Sequence, residues 1–117
     1  MRARYGIALV AGLVLLGVSP TLGAIINVPA DYPTIQDAID AAPAAEHNVI
    51  YVAAGTYPEN LSWHSTSIEL IGAGAAVTIV DGGDTSSCLW MYGVPDTARV
   101  EGFTFTGGLH PWDSHEG

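Results

Sequence analysis

Lysine is absent from this sequence, and arginine occurs only as Arg2, Arg4 and Arg99. Against these stand twelve Asp and Glu residues, for a formal net charge of −9. Nucleic-acid binding draws its affinity from Lys and Arg on phosphates, so that function class is excluded. Attraction to anionic lipid surfaces is disfavoured for the same reason. A polyanionic ligand would need bridging cations or a basic region outside this chain. Cysteine is nearly absent as well. Cys88 cannot form an intramolecular disulfide, which excludes a disulfide scaffold and points to a buried, inert thiol. Long hydrophobic runs are missing too: the longest, Gly6 to Val18, falls short of the roughly 20 residues of a membrane-spanning helix.

That run has another reading. Arg2 and Arg4 precede it, and Ser19, Pro20 and small residues follow, which is the pattern of a secretory signal peptide. Cleavage is expected after Gly23 or Ala24. The organisation is then a signal peptide over 1–23 and one small domain over 24–117, within the size range of a single core. Removal of the leader leaves twelve acids against Arg99 alone, a formal charge of −11. The expected location is secreted, extracellular or at the cell surface, with a bacterial periplasm also compatible, and no membrane association after cleavage.

Beyond the leader, helical periodicity occurs once. Pro33 suits a helix start, and Thr34 can cap the first-turn amides, with Asp37 three residues on adding favourable charge. Ile35, Ala38, Ile39 and Ala42 form an i, i+3, i+4, i+7 stripe, and Pro43 ends it. A helix of about two and a half turns is unstable alone and must pack its stripe on something. Short β runs surround it. Ile25–Val28 precedes, and Val49–Val52, Asn60–Trp63, Ile68–Ile71, Val77–Val80, Cys88–Tyr92 and Arg99–Thr106 follow, separated by glycine-containing breaks that include a Gly55-Thr56-Tyr57 turn. Ile68 and Leu70 flank Glu69, and Val77 and Ile79 flank Thr78, so one face is apolar and the other polar. In the last run the parity changes at Gly102, where a bend or bulge would restore the inward direction of Phe103 and Phe105. Of the breaks, Asp81-Gly82 alone has a two-residue hairpin signal. Corresponding runs recur at about twenty residues, from Val49 to Ile68 to Leu89, which favours stacked solenoid coils over a β-sandwich.

The residues that carry this pattern resemble a known family. The stretch Asp31-Tyr32-Pro33-Thr34-Ile35-Gln36-Asp37-Ala38-Ile39-Asp40-Ala41-Ala42-Pro43 is similar to the N-terminal helix of right-handed parallel β-helix proteins of the pectin-lyase-like superfamily. Val49 to Asn60 is similar to their first coil, and Ile68 to Gly74, then Thr78 to Gly82, continue the pattern. Val100-Glu101-Gly102-Phe103-Thr104-Phe105-Thr106-Gly107-Gly108 resembles a later glycine-rich coil strand. The same strings open pectin methylesterases and many secreted β-helix proteins. The resemblance implies an all-β, right-handed parallel β-helix (solenoid), N-terminal coils only, with a short N-terminal capping helix. It also implies an extracellular carbohydrate context: a polysaccharide as partner, and pectinesterase-like esterase or polysaccharide lyase chemistry in a full-length protein. A non-catalytic cell-surface or adhesion solenoid is the remaining alternative. The family's catalytic glutamine, aspartates and arginine lie on coils after the matched region, and Gln36 belongs to the capping helix. No catalytic residue is therefore expected here. Further C-terminal coils are expected to cover the open end, and without them the isolated chain is expected to aggregate or stay partly unfolded and to be inactive on pectin.

Several side chains could still carry chemistry. Among Leu109–Gly117, Trp112 has polar neighbours and, with His110 and Asp113, is the sequence candidate for carbohydrate binding through an aromatic face and polar partners. His110, Asp113, His115 and Glu116 are metal-ligating types but match no established ligand spacing, so no metal site is assigned. Trp63, Trp90, Tyr51, Tyr57 and Tyr92 could also stack on sugar rings, although coil packing is expected for Trp90 and Tyr57. Asp81-Gly82-Gly83-Asp84 reads as a tight turn rather than a calcium loop. Gly72-Ala73-Gly74 opens no helix, so a dinucleotide fingerprint fails, and no cofactor is expected. Asn60-Leu61-Ser62 is a glycosylation sequon, relevant in a eukaryotic secretory pathway. Ser62, His64 and Ser65 are near in sequence, but alternation along a strand separates neighbours, and no nucleophile–base–orienter set is evident.

Overall fold

Extended runs with alternating apolar residues can bury their inner face by stacking on copies of themselves, and this chain does so. The computed structural model describes residues 22–109. Its elements are β1 (Leu22–Val28), α1 (Ile35–Ala41), β2 (His47–Val52), β3 (Gly55–Tyr57), β4 (Leu61–His64), β5 (Ser67–Gly72), β6 (Thr78–Asp81), β7 (Leu89–Tyr92), β8 (Arg99–Glu101) and β9 (Thr104–Thr106). The strands form three parallel sheets, ordered β1-β2-β5-β8, β3-β6-β9 and β4-β7. Each circuit through the three sheets is one coil, and about three coils stack into a right-handed parallel β-helix.

The register shows which residues lie above one another. His47 pairs with Ser67, Ile50 with Leu70 and Val52 with Gly72 between β2 and β5. Leu70 then pairs with Val100 on β8. The inward residues Ile50, Val52, Ile68, Leu70, Leu61, Trp63 and Val80 are fully or almost fully buried. Each buried side chain of this size contributes roughly 1.5–3 kcal/mol by leaving water. Trp63 is the largest, and its indole N–H donates to the Thr66 carbonyl at 2.7 Å, so its polar edge is satisfied.

The helix is the lid of this stack, as its stripe predicts. Ile35, Ala38, Ile39 and Ala42 are all buried. Thr34 Oγ1 accepts from the Asp37 amide at 3.1 Å. Two side chains hold the helix in place. The Glu59 carboxylate accepts from the Ile35 and Gln36 amides at 2.9 and 3.0 Å, satisfying two first-turn donors from outside the helix. Gln36 accepts from the Ser62 amide at 2.8 Å and donates to the Ser62 carbonyl at 2.9 Å. Its amide thus completes the edge of β4, which has β7 as its only strand partner among the described residues.

Some sequence expectations change. Gly55-Thr56-Tyr57 is a strand of the second sheet, not a turn; three residues are too few for alternation to reveal it. Leu89 stacks on Leu61 in the third sheet, and the partner above Leu70 is Val100. The twenty-residue step from His47 to Ser67 becomes a thirty-residue step from Glu69 to Arg99, because the second coil carries longer connections. Trp90 does not pack inward: it shares an outward row with Ser62 and is 56% exposed, whereas Tyr57 is buried. The parity change at Gly102 is real. Gly102, at φ +82°, divides the last run into β8 and β9, and a Cβ there would fall 2.4 Å from the Gly72 carbonyl oxygen.

Candidate functional site

Inward positions build the core, so chemistry must come from outward ones. On the first sheet the outward positions form rows across the strands. One row carries Ile25, Val49, Glu69 and Arg99, and the next carries Asn27, Tyr51, Ile71 and Glu101. At the start of the strands His47 lies directly against Ser67.

These rows bring together a connected polar cluster. His47 Nε2 is 2.7 Å from Glu69 Oε2, and His47 Nδ1 is 2.5 Å from Ser67 Oγ. Ser67 Oγ is in turn 2.6 Å from Thr97 Oγ1. Arg99 reaches Glu69 from the other side, Nη1 to Oε1 3.7 Å, and donates to Glu101. The side chains of His47 and Glu69 are 34% and 28% exposed, so the cluster is held yet open to solvent. The hydrogen bond from Arg99 to Glu101 raises the guanidinium pKa, reinforced by the charges of Glu101 and Glu69, so Arg99 stays cationic at every working pH.

With His47 neutral, the polar partners have one consistent direction. An ionised carboxylate only accepts, so Nε2 of His47 carries the hydrogen given to Glu69. In the neutral ring Nδ1 then offers a lone pair, and the Ser67 hydroxyl donates to it. A carboxylate thus orients an imidazole that accepts from a serine. Sequence reasoning missed this set because it compared near neighbours. The signal was the coil period, which places residue 47 beside residues 67 and 69.

Beside the rows, at the ends of β1, β2 and β5, lies a mostly apolar cavity of about 420 Å³ lined by Asn27, Pro29, Tyr51, Ala53, Ile71 and Gly72. Tyr51, 48% exposed, is the aromatic residue that lines it.

The sequence candidates distribute differently. His110, Trp112, Asp113, His115 and Glu116 lie outside the described residues. Among the described residues, no three His, Cys, Asp or Glu side chains converge as a metal site. Cys88 is buried as expected, its thiol donating to the Thr106 carbonyl at 3.0 Å. Asp81 accepts from the Gly83 amide at 2.9 Å, a local turn contact. The Asn60 amide of the sequon is engaged by the carbonyls of Gly82, Ser86 and Ser87 at 3.1–3.3 Å. His64 meets Tyr92 edge to face, ring centroids 6.2 Å apart, and stands apart from the His47 cluster.

Comparison with known proteins places this architecture. The family model described as Pectinesterase matches residues 26–107, from β1 through the third coil. The chain belongs to the pectinesterase family. It is also similar to the Arabidopsis thaliana protein named "Probable pectinesterase/pectinesterase inhibitor 17", with 42% identity over 52 residues. That alignment covers 44% of this chain and 10% of the plant protein, so the chain spans about a tenth of that relative's length. Among the described residues of this pectinesterase-family chain, no helix is long and apolar enough to cross a membrane.

Proposed function

We propose that this chain forms the helix-capped opening coils of a secreted β-helix protein that processes a polysaccharide, with methyl-esterified, pectin-like polymers as the substrate class. The observation that carries the reading is the family match over residues 26–107, which falls on the capped stack itself. The exposed Tyr51 lining the apolar cavity supports it, because an aromatic ring combines apolar area with a polar edge suited to a sugar. The small share of the plant relative covered by the alignment supports a further part: the demethylating residues belong to coils beyond those described. In this reading the present coils start the stack, hold its register and extend the surface along which a polymer lies.

The test is methanol release from methyl-esterified polygalacturonate. It compares the 117-residue chain with the product of its complete reading frame. The chain alone is expected to match the buffer control, and the complete product to release methanol. A reading frame that closes at Gly117, or a complete product that neither binds nor demethylates the polymer, would overturn the proposal.

A further inference from the structure

The cluster at the start of β2 and β5 has the parts of a second, separate chemistry. Three properties set it apart from an ordinary surface network. His47, Ser67 and Glu69 lie on the paired strands β2 and β5, so the register of the stack fixes their relative positions. With the imidazole neutral, the cluster's hydrogen bonds are donated in one direction, hydroxyl to imidazole to carboxylate, because an ionised Glu69 only accepts. It is also open to solvent, as a reacting group must be.

We propose that Ser67 is the nucleophile of an acyl-transfer site that hydrolyses short, uncharged acyl esters, with His47 as general base and Glu69 as the positioning residue. The inference is independent of the polysaccharide reading above. Ser67 Oγ attacks the ester carbonyl carbon while its proton passes to His47 Nδ1. The tetrahedral intermediate collapses by breaking the bond between the acyl carbon and the alkoxy oxygen, and His47 returns the proton to that leaving oxygen. Water then attacks the acyl-serine, giving its proton to His47, which hands it to the departing Ser67 oxygen. Ester and water become carboxylic acid and alcohol, with no other reactant. An anionic acyl group is disfavoured because the chain is strongly acidic and the sole Lys or Arg among the described residues, Arg99, is held by Glu69 and Glu101.

The test is covalent labelling of the product of the complete reading frame by a fluorophosphonate at neutral pH, read by intact mass and peptide mapping. One adduct is expected, on Ser67, and Ser67→Ala should abolish it. His47→Gln should slow labelling by at least about 100-fold, the usual scale of general-base assistance. Glu69→Gln should slow it by at least about tenfold, and Glu69→Asp should recover part of that loss, which a merely structural carboxylate would not show. Ser62→Ala, on β4 and outside the cluster, should leave the rate unchanged. Far-UV circular dichroism accompanies every variant. If His47→Gln fails to fold, labelling of the native chain in denaturing urea replaces it, and loss of the Ser67 adduct is expected. Labelling no faster than that of a free serine amide, an adduct on another serine, or a Ser67 rate unmoved by His47→Gln in a folded protein would each overturn the proposal.

Discussion

Asn48 is fully buried in the first coil, and its side chain joins four separate pieces of backbone. Nδ2 lies 3.0 Å from the Pro43 carbonyl, 3.0 Å from the Glu46 carbonyl and 3.2 Å from the Ser67 carbonyl. Oδ1 accepts from the Ala24 amide at 2.9 Å. One side chain thereby fastens β1, the segment after α1, and β5 to β2. Asn48→Ala removes all of these partners at once. The two amide hydrogens serve at most two carbonyls fully, with the third shared, so at least two carbonyls and one amide lose a partner. Each buried polar group left unpaired costs about 1–3 kcal/mol, and water re-entering near the edge of the stack recovers some of that. The expected loss is about 3 kcal/mol, a large fraction of the roughly 5–15 kcal/mol that holds a small domain together. Urea unfolding followed by tryptophan emission reads it, since Trp63 is buried in the adjoining core. The midpoint should fall by about 1–2 M with the slope unchanged. Asn48→Asp should be worse than Asn48→Ala at neutral pH, because a carboxylate would then face the same carbonyls with nothing to donate. A loss below about 0.5 kcal/mol for Asn48→Ala would refute the reasoning.

Other outcomes follow from the same geometry. Gly102→Ala should destabilise by about 3 kcal/mol or more, combining a left-handed backbone with a clash on the Gly72 carbonyl. Gly83→Ala, at φ +67° with open space around it, should cost only about 1–2 kcal/mol, and comparing their melting curves checks the contrast. In a eukaryotic secretory host the folded chain should carry no glycan on Asn60, whose amide is occupied by three carbonyls; a mass shift on endoglycosidase treatment would contradict this. Burial, then the charge of Glu59, raises the Tyr57 pKa above the ordinary 10.0. Its stabilising effect is therefore fully present below about pH 10 and disappears as pH rises through the folded value. Alkaline titration of stability should be shallower in Tyr57→Phe, which also forfeits the hydroxyl's 2.8 Å bond to the Ala53 carbonyl.

The capping helix was legible in the sequence because its Ile35, Ala38, Ile39 and Ala42 stripe has a strong period and defined ends. The coil strands were legible where apolar residues alternate cleanly, as at Ser67–Gly72, and the bend at Gly102 showed as a change of parity; at β6 the faces are the reverse of the expectation, because Thr78 and Val80 are buried while Val77 is 49% exposed. Strand β3 is too short to register. The partners of β7 and β8 were misaligned because the connections in the second coil differ in length from those in the first, and length variation in loops leaves no periodic trace. Large aromatics usually pack inward, yet Trp90 stacks over Ser62, which faces out between the inward Leu61 and Trp63. Glu59 and Gln36 act on backbone more than twenty residues away, and no local pattern announces that. The same holds for His47, Ser67 and Glu69: they become neighbours only once coil stacking and register are known.

The capped core and the polar cluster both depend on parallel stacking that sets residues 47 and 67 side by side. Backbone nuclear Overhauser contacts in the isotopically labelled product of the complete reading frame test it. Contacts should connect His47 with Ser67, and Ile50 with Leu70 and then Val100, in the amide-to-Cα pattern of parallel strands. Contacts pairing β2 with β3, or β5 with β6, as antiparallel hairpins would contradict the account.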